Sequence, residues 1–370
     1  MSNTERRNFL KMGGAGLVGM AGILASGQAP AAATSGKIRF DVVSAFPKTL
    51  DTIYWGAEDA MNLLREMSDG KYDGTVHAAG EIVPGLKALD AASDGTAQVA
   101  HTALYYHFDK DDALAEFASI PFGPDARGMI AWMHHGGGNE LANEVCAKFN
   151  LVHFACGNTG AQMGGWFKDE IRSKDDLKGL KMRLGGFAGK VLQPMGIQPV
   201  TLPGGEIMPA AEKGLISALE WVGPYDDEKL GFYKLFKNYA YPAFWEGGTQ
   251  LSMTPNKKWW DPQPADFKAM FKAACMAATQ NMLAKYDAKN PAALSSLMVK
   301  GVKVFRLPKD VMDQAYYISE QLYADISSKN PLFAKVHNSM TKFRDKHYQW
   351  HRLAEQTYNS YMTNQRGNRI

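Results

Sequence analysis

Short β-branched segments alternate with amphipathic ones along most of this sequence, and this alternation restricts the possible folds more than any other feature. Residues 37–43 have the period-two pattern of a strand, and residues 51–67 carry apolar side chains at helical spacing. A second helix is predicted at 86–92, and the chain is almost entirely helical after Pro264. The alternation predicts an α/β fold with largely parallel sheets, and a length of 370 residues suggests two domains. Further strands are predicted at 75–78, 97–102, 151–155, 181–184, 217–222 and 250–254.

Residues 1–33 have the pattern of an export signal rather than of a folded element. Arg6-Arg7 and the Asn8-Phe9-Leu10-Lys11 that follows form a twin-arginine pattern of the bacterial Tat type. The run 12–25 is too short to cross a bilayer, which takes about 20 apolar residues. Ala31-Ala32-Ala33 provides a cleavage site for a signal peptidase. We therefore expect a periplasmic protein whose mature chain begins near Thr34.

Charge and cysteine content exclude several classes of protein. The 41 Lys and Arg residues nearly balance the 38 Asp and Glu residues, and no long basic run is present, so nucleic-acid binding is not expected. Cys146, Cys156 and Cys275 are an odd number without a C-x-x-C motif, which argues against a disulfide scaffold or a structural zinc site. A Cys146–Cys156 disulfide in the oxidising periplasm stays open.

Three glycine-rich motifs resemble catalytic or nucleotide-binding motifs but lack the required context. The G-x-G-x-x-G at 14–19 lies inside the export signal and not in a βαβ unit. The HGGG at 135–138 has no G-x-S-x-G partner, and the run 185–190 fails the P-loop pattern. The sequence also has no H-E-x-x-H, no paired His/Cys cluster and no recognisable Ser-His-Asp spacing. We expect a binding protein rather than an enzyme, although an exported enzyme with an unrecognised motif stays an alternative.

Four glycine-rich loop segments combine aromatic residues with single charged or amide side chains. An arginine in such a segment can hold a carboxylate through its planar guanidinium. Glutamate and glutamine can supply oxygen ligands to a cation. Together these residue types predict a site for a small polar ligand, formed by the segments 158–166, 181–186, 220–228 and 244–248.

The C-terminal segment 331–370 has a different pattern. A 3-4 spacing of apolar and aromatic residues indicates a long helix with one apolar stripe. The helix could pack on its own domain, or it could pack on a partner subunit and form a homodimer. Both interpretations stay open. The stripe consists of Phe333, Val336, Met340, Phe343, His347, Trp350 and Ala354.

The sequence resembles the substrate-binding proteins of TRAP transporters, in the DctP family, over nearly all of residues 37–365. The motifs that carry the resemblance are 182–186 (MRLGG), 205–214 (GEIMPAAEKG) and 218–224 (ALEWVGP). The segments 44–54, 79–85 and 220–233 are most similar to the branch that binds 2-oxo acids such as pyruvate. A neighbouring branch binds lactate with calcium and shares much of this pattern.

The resemblance implies a two-lobed periplasmic binding protein fold, with the ligand in a cleft between the lobes and long helices bracing them. Lobe 1 would comprise residues 34–160 with a return segment at 248–330. Lobe 2 would comprise residues 161–247, and 331–370 would be a possible dimerisation element. The lobes would close on the ligand by a hinge motion. The membrane subunits of a TRAP transporter would be the partners, and a sensory role on a different receptor stays an alternative.

The resemblance also assigns roles to single residues. Arg183 would bind the substrate carboxylate. Gln162, Glu220 and the backbone carbonyl of Trp221 would bind a cation, usually Na⁺ with Ca²⁺ as the alternative, and Glu246 would contact both cation and ligand. Because two glutamates would repel an anionic substrate, we expect the cation and the anion to bind cooperatively. Weaker candidates are Asn158 and Tyr106 for hydrogen bonds to the ligand, and His101 and Phe46 for the cleft wall.

Overall fold

The computed structural model describes residues 36–366, so the predicted export signal and cleavage site lie outside the described residues. Its strands form two separate sheets. Among residues 36–366, no helix combines the length and the apolar character that crossing a bilayer requires.

The first sheet has five strands in the order β2-β1-β3-β10-β4. The strand β1 runs parallel to both β2 and β3, and β10 runs antiparallel to its neighbours β3 and β4. The strands are β1 (Ile38–Ser44), β2 (Tyr72–His77), β3 (Val99–Thr102), β4 (Phe154–Asn158) and β10 (Gln250–Pro255).

The second sheet has six strands in the order β11-β9-β5-β8-β6-β7. The pairs β11–β9, β8–β6 and β6–β7 are parallel, and β5 is antiparallel to both of its neighbours. The strands are β5 (Gly165–Phe167), β6 (Lys181–Arg183), β7 (Gln198–Val200), β8 (Ala218–Leu219), β9 (Asn238–Tyr241) and β11 (Lys303–Arg306).

The helices cover both sheets and dominate the C-terminal part. Short 3₁₀ helices occur at Gly85–Lys87, Leu104–His107, Lys174–Leu177, Gln193–Met195 and Phe232–Lys234. The α-helices are α1 (Trp55–Met67), α2 (Ala88–Asp94), α3 (Ala113–Glu116), α4 (Ala126–His135), α5 (Gly138–Ala147), α6 (Ala188–Leu192), α7 (Gly204–Glu212), α8 (Pro224–Leu230), α9 (Lys257–Trp260), α10 (Ala265–Val299), α11 (Lys309–Lys329), α12 (Pro331–Leu353) and α13 (Glu355–Arg366).

The expectation of largely parallel sheets was wrong, because both sheets are mixed. The chain passes from the first sheet to the second between β4 and β5, and returns between β9 and β10. Neither passage contains a crossover helix, and β5 and β10 therefore enter their sheets antiparallel to their neighbours. We call residues 159–164 the first crossing segment and residues 242–249 the second crossing segment.

Most of the predicted strands are present, with shifted ends. The strand predicted at 151–155 lies three residues later, and Leu151 makes only an isolated bridge to Asn256. The sequence patterns missed β5, β7, β9 and β11, which have three or four residues each. Within the predicted return segment 248–330, β10 joins the first sheet and β11 joins the second. The lobe boundaries themselves stay predictions.

The 35-residue helix α10 packs on the first sheet along β4 and on α1 and α8. The helix comes so close to β4 that a Cβ on Gly157 would lie 2.6 Å from the Met282 methyl carbon, and Gly157 has a φ of +110°. The positive φ favours glycine at this position, and a larger residue would also have to displace the end of the Met282 side chain. The buried residues Phe271, Ala274 and Ala278 continue the contact along the helix. The helix therefore forms part of the core beside the first sheet.

Helix α12 packs on its own chain through the first part of the apolar stripe. Phe333, Val336 and Met340 are fully buried, and the helix contacts α3, α4, α5 and α11. Beyond them Phe343 still packs against the core and the His347 side chain is only 10% exposed, whereas Trp350 is 64% exposed. The interpretation that the helix packs on its own domain therefore holds through His347.

The three cysteines are free and buried. Cys146 and Cys156 do not form the disulfide that the sequence left open. Cys156 in β4 neighbours Cys275 in α10 instead. Burial raises the pKa of the Cys146 thiol to about 12, so this thiol is a structural apolar group rather than a nucleophile.

Two adjacent buried carboxylates of α8 connect this helix to both halves of the molecule. Asp226 accepts hydrogen bonds from the Thr52 hydroxyl at 2.5 Å and from the Tyr286 hydroxyl at 2.6 Å. Burial raises the pKa of Asp226 to about 6 and that of Asp227 to about 7. Both side chains therefore depend on the hydrogen bonds they accept inside the protein.

Asp227 accepts four hydrogen bonds. Its Oδ2 binds the Trp166 indole at 2.8 Å and the Tyr239 hydroxyl at 2.7 Å. Its Oδ1 binds the backbone N–H groups of Val222 and Gly223, both at 3.2 Å. Asp227 therefore fixes the backbone that directly follows Glu220 and Trp221.

We predict that Asp227→Asn lowers the free energy of unfolding by about 2–4 kcal/mol. An amide has only one oxygen and cannot accept all four bonds, and each buried donor left unpaired costs about 1–3 kcal/mol. Denaturant unfolding at a pH above 7, where the wild-type carboxylate is ionised, measures the loss. Asp169→Asn, at an exposed position, is the matched control. Equal stability of the two variants would contradict the role assigned to Asp227.

Candidate ligand and cation site

The structure brings together the side chains predicted to bind ligand and cation. Arg183 is the last residue of β6 and Glu220 directly follows β8, so the two leave neighbouring parallel strands at the same edge. Gln162 lies on the first crossing segment and Glu246 on the second, and the Gln162 N–H donates to the Glu246 carbonyl at 3.0 Å. None of the four is more than 4% exposed. The cluster is therefore closed to solvent.

Arg183 has two nitrogens in use and one free. Its Nε donates to the Leu202 carbonyl at 3.1 Å, and its Nη1 donates to the Glu220 carbonyl at 2.9 Å and to Glu220 Oε1 at 2.5 Å. Its Nη2 is buried without a hydrogen-bond partner among residues 36–366. The guanidinium also lies 5.0 Å from the Trp221 ring, within cation–π range. An incoming anion can therefore bind Nη2 alone, and not two guanidinium nitrogens at once.

The two glutamates differ in their partners. Glu220 Oε1 accepts from Arg183 and from the Gly185 N–H at 2.8 Å, which oppose the rise in its pKa that burial produces. Burial and the neighbouring Glu220 raise the pKa of Glu246 well above its usual range. Two carboxylates so close together carry more negative charge than Arg183 neutralises. The arrangement therefore favours the binding of a positive charge beside Glu246.

The Gln162 amide is surrounded by oxygen atoms. One of its two terminal atoms lies 3.1 Å from the hydroxyl oxygens of both Thr159 and Thr249. The other lies 2.6 Å from the Trp221 carbonyl oxygen and also contacts Glu246 Oε2. If the second atom is the nitrogen, it donates to both neighbours. If it is the oxygen, three oxygens converge, and such a group is stable only around a cation.

The cation prediction named Gln162, Glu220, the Trp221 carbonyl and Glu246. The Trp221 carbonyl and Glu246 Oε2 both lie next to the Gln162 amide, and their binding of a cation stays a prediction. Glu220 is in contact with Glu246 but is also bound to Arg183. Hard oxygen ligands of this kind fit Na⁺ or Ca²⁺.

Tyr105 and Tyr106 follow β3 and reach the cluster from the first sheet. Tyr105 interacts with Glu246, and Tyr106 interacts with Arg183. Burial raises the pKa of both phenols, so both hydroxyls are neutral. The two rings pack edge to face, 4.8 Å apart.

The remaining candidates have different environments. The Asn158 side chain binds within its own loop, donating to the Gly248 carbonyl at 3.2 Å and accepting from the Gly160 N–H at 2.9 Å. It therefore shapes the first crossing segment. His101 lies against Phe46 with ring centroids 5.3 Å apart, and both are buried. Burial lowers the pKa of His101 to about 3, so its ring is neutral.

The sequence reading missed several residues of this site. Thr159 and Thr249 orient the Gln162 amide, and the Leu202 carbonyl orients Arg183. Tyr105 interacts with Glu246, and only its neighbour Tyr106, which interacts with Arg183, was named from the sequence. Of these residues, only Tyr105 could have been recognised from the sequence, because it adjoins Tyr106. A threonine hydroxyl or a backbone carbonyl that orients another side chain has no recognisable sequence pattern.

The family model that matches this chain is the bacterial extracellular solute-binding protein, family 7 (DctP), over residues 43–330. A curated relative from Nostoc sp. is 42% identical over 324 residues, which cover 88% of this chain and 89% of the relative. That relative is a monocarboxylate 2-oxoacid-binding periplasmic protein.

Solved structures agree with the family match. A TRAP transporter solute-binding protein from Bordetella bronchiseptica is 40% identical, with a TM-score of 0.89 over 90% of this chain and 100% of that one. It is a mixed-occupancy dimer with copurified calcium and picolinate. A TRAP periplasmic solute-binding protein from Pseudoalteromonas atlantica, with bound sodium and pyruvate, is 33% identical. Its TM-score is 0.85 over 88% of this chain and 99% of that one.

These matches confirm the α/β fold of two sheets and the prediction of a binding protein rather than an enzyme. They cover nearly the whole described chain, including Arg183, Glu220 and both crossing segments. This chain therefore belongs to the DctP family of bacterial extracellular solute-binding proteins, the solute receptors of TRAP transporters.

Proposed function

We propose that this protein binds a small 2-oxo monocarboxylate such as pyruvate together with a cation, and delivers it to the membrane subunits of a TRAP transporter. One observation carries the proposal: the free Nη2 of Arg183 is buried in the same cluster as the Trp221 carbonyl oxygen and the Glu246 carboxylate, which both face the Gln162 amide. A positively charged donor beside a cation site favours an anion that can bind the donor and the cation at the same time. A 2-oxo acid can do so, because it carries a carboxylate and an adjacent keto oxygen.

The chemistry of the relatives' ligands supports this class of substrate. Pyruvate carries a keto oxygen, and picolinate a ring nitrogen, on the carbon next to the carboxylate. Either ligand can therefore bind one cation through two atoms at once. We propose the same arrangement here, with one carboxylate oxygen on Arg183 Nη2 and the chelating pair on the cation.

The charges in the site bear on which cation binds. Arg183, Glu220, Glu246 and a bound carboxylate sum to a charge of −2 when both glutamates are ionised. A calcium ion would neutralise that charge, and a sodium ion would reduce it to −1. The Pseudoalteromonas relative with bound sodium and pyruvate supports sodium, and the Bordetella relative with copurified calcium supports calcium. We propose sodium, with calcium as the alternative.

We also propose that the protein works in the periplasm after export by the Tat pathway. The support is the twin-arginine pattern at Arg6-Arg7 and the family's extracellular location. Because the site is closed to solvent, ligand entry requires the elements of the two sheets to separate and then close again.

A homodimer through the C-terminal segment is a further part of the proposal. Trp350 and Leu353 at the end of α12 are exposed, and Tyr358 and Tyr361 on α13 are 65% and 62% exposed. Such a run of exposed large apolar side chains is typical of a protein interface. The mixed-occupancy dimer of the Bordetella relative agrees with it.

Arg183→Ala should weaken pyruvate binding by a factor of about thirty to several thousand, which corresponds to about 2–5 kcal/mol for removing one partner of a buried charge pair. Calorimetric titration of the mature chain, freed of copurified ligand, measures the change. Arg183→Lys keeps the charge but cannot bind Leu202, Glu220 and ligand together, so at least a tenfold loss is expected. Arg172→Ala, at an exposed position, is the control. Unchanged affinity in Arg183→Ala would refute the carboxylate assignment.

Pyruvate binding should weaken at least tenfold when choline replaces sodium, because the site then holds an uncompensated negative charge. Calcium added to the choline buffer tests the alternative ion. In Glu246→Gln the difference between the two buffers should shrink, whereas Glu206→Gln at an exposed position should behave as wild type. Equal affinity in all buffers would be consistent with a receptor for pyruvate but would contradict the proposed cation site.

Leu353→Glu combined with Tyr361→Glu should convert a dimer into a monomer, because both changes place charge in the proposed interface. Light scattering coupled to size exclusion gives the mass at micromolar concentration. Tyr317→Glu, on the exposed side of α11, is the control. A monomeric wild type, or a dimer that survives the double change, would contradict the proposed interface.

A further inference from the structure

A second group of potential metal ligands lies outside the ligand and cation site. Asp125 is the N-cap residue of α4, and His347 and His351 lie one turn apart on α12. His347 Nε2 is 3.6 Å from Asp125 Oδ1, and His351 Nε2 is 3.9 Å from Asp125 Oδ2. One ligand atom from each of the three residues lies within 4.8 Å of the others.

The distances between the Asp125 oxygens and the two histidine nitrogens are too long for hydrogen bonds and close to the distances between ligand atoms in a metal site. A tetrahedral zinc ion with bonds of about 2.0–2.2 Å holds its ligand atoms about 3.3–3.6 Å apart. Small side-chain rotations would bring the three groups to that separation. Two histidines at positions i and i+4 of one helix are also the usual helical half of a zinc site.

The state of His347 independently points to a ligand. Its side chain is only 10% exposed, and its Nε2 has no hydrogen-bond partner among residues 36–366. That nitrogen faces the Asp125 carboxylate without bonding to it. Burying an unpaired polar atom is unfavourable, and a bound cation would remove the penalty.

The carboxylate is held in place by contacts that leave Oδ2 available. Asp125 Oδ1 accepts from the Gly128 N–H at 2.7 Å, and the Asp125 N–H donates to the Tyr348 hydroxyl at 3.1 Å. Tyr348 donates in turn to the Gly123 carbonyl at 3.3 Å. The N-cap and the helix that carries both histidines are thus already joined through Tyr348.

We propose that Asp125, His347 and His351 bind a transition-metal dication such as Zn²⁺, with the fourth position open to water. Two imidazole nitrogens and one carboxylate are a zinc-type ligand set, unlike the all-oxygen group around Gln162. The sequence reading found no paired histidine cluster. That conclusion overlooked the H-x-x-x-H spacing of His347 and His351, whose third ligand lies more than 220 residues earlier.

The bound metal would fasten the C-terminal helix to the body beside the substrate site. The N-terminus of α4 packs directly on the second crossing segment, since a Cβ on Gly248 would lie 2.2 Å from the Ala126 nitrogen. The same segment carries Glu246. The metal therefore connects the exposed α12–α13 segment to the backbone that positions a residue of the ligand site.

Zinc titration of the mature full-length chain tests this inference. The protein is freed of affinity tag and of metal, and zinc is added at micromolar concentration. We expect one zinc per chain and at least a tenfold weaker affinity in both His347→Ala and His351→Ala. Cobalt(II) should give the visible absorption of a low-coordinate site, which the same variants lose. Asp125→Asn keeps an N-cap side chain and should also weaken zinc binding.

Two controls separate this site from other sources of zinc binding. His135→Ala removes an exposed histidine of α4 and should bind zinc as wild type does. Glu246→Gln should also retain zinc, whereas loss in this variant would place the metal at the substrate site and overturn the inference. The inference also fails if wild type binds no zinc. It fails as well if His351→Ala, which changes the more exposed of the two histidines, binds zinc as tightly as wild type does. Pyruvate affinity should be the same in His351→Ala and wild type, so this result is independent of the proposed function.

Discussion

The buried ion pair between Arg183 and Glu220 is the interaction on which the rest of the site depends. It joins the ends of two adjacent parallel strands through Nη1, and Nε donates to the Leu202 carbonyl. Among residues 36–366, Nη2 is therefore the one nitrogen of this guanidinium without a partner. A buried pair of this kind contributes little net stability but is costly to break. Its consequence is specificity, because only an anion that reaches Nη2 satisfies the last donor. Glu246 adds a second buried carboxylate and so makes a cation part of the same requirement.

The two crossing segments explain why these groups meet. Each segment leaves one sheet and enters the other, and their backbones pair at Gln162 and Glu246. Asp227 then fixes the backbone after Glu220 by accepting from Val222 and Gly223. The oxygen cluster at the Gln162 amide is therefore built from the connections between the sheets and from α8. A motion that separates the sheets would disturb this cluster, which gives a physical route from ligand binding to closure.

Sequence patterns predicted the longest elements well. Strands β1 and β10 and the long helices were found because their apolar patterns extend over enough residues, and β3 and β6 were found although they are as short as the four missed strands. The antiparallel course of β5 and β10 has no local sequence signal. Arg183, Glu220, Gln162 and Glu246 were named through the family resemblance. The threonines and the carbonyl that orient them, and the pairing of Asp125 with His347 and His351, were not.

The sequence by itself determined the class of fold and the family, and it named the charged residues that the structure brings together. These follow from local periodicity and from motifs that are contiguous along the chain. Only the tertiary structure decided that one Arg183 nitrogen has no partner among residues 36–366, that four oxygens surround the Gln162 amide, and that Cys146 and Cys156 remain apart. It also placed most of the C-terminal stripe against its own chain and left Trp350 exposed. Each of these outcomes depends on contacts between residues far apart in sequence, whose distances are set by packing.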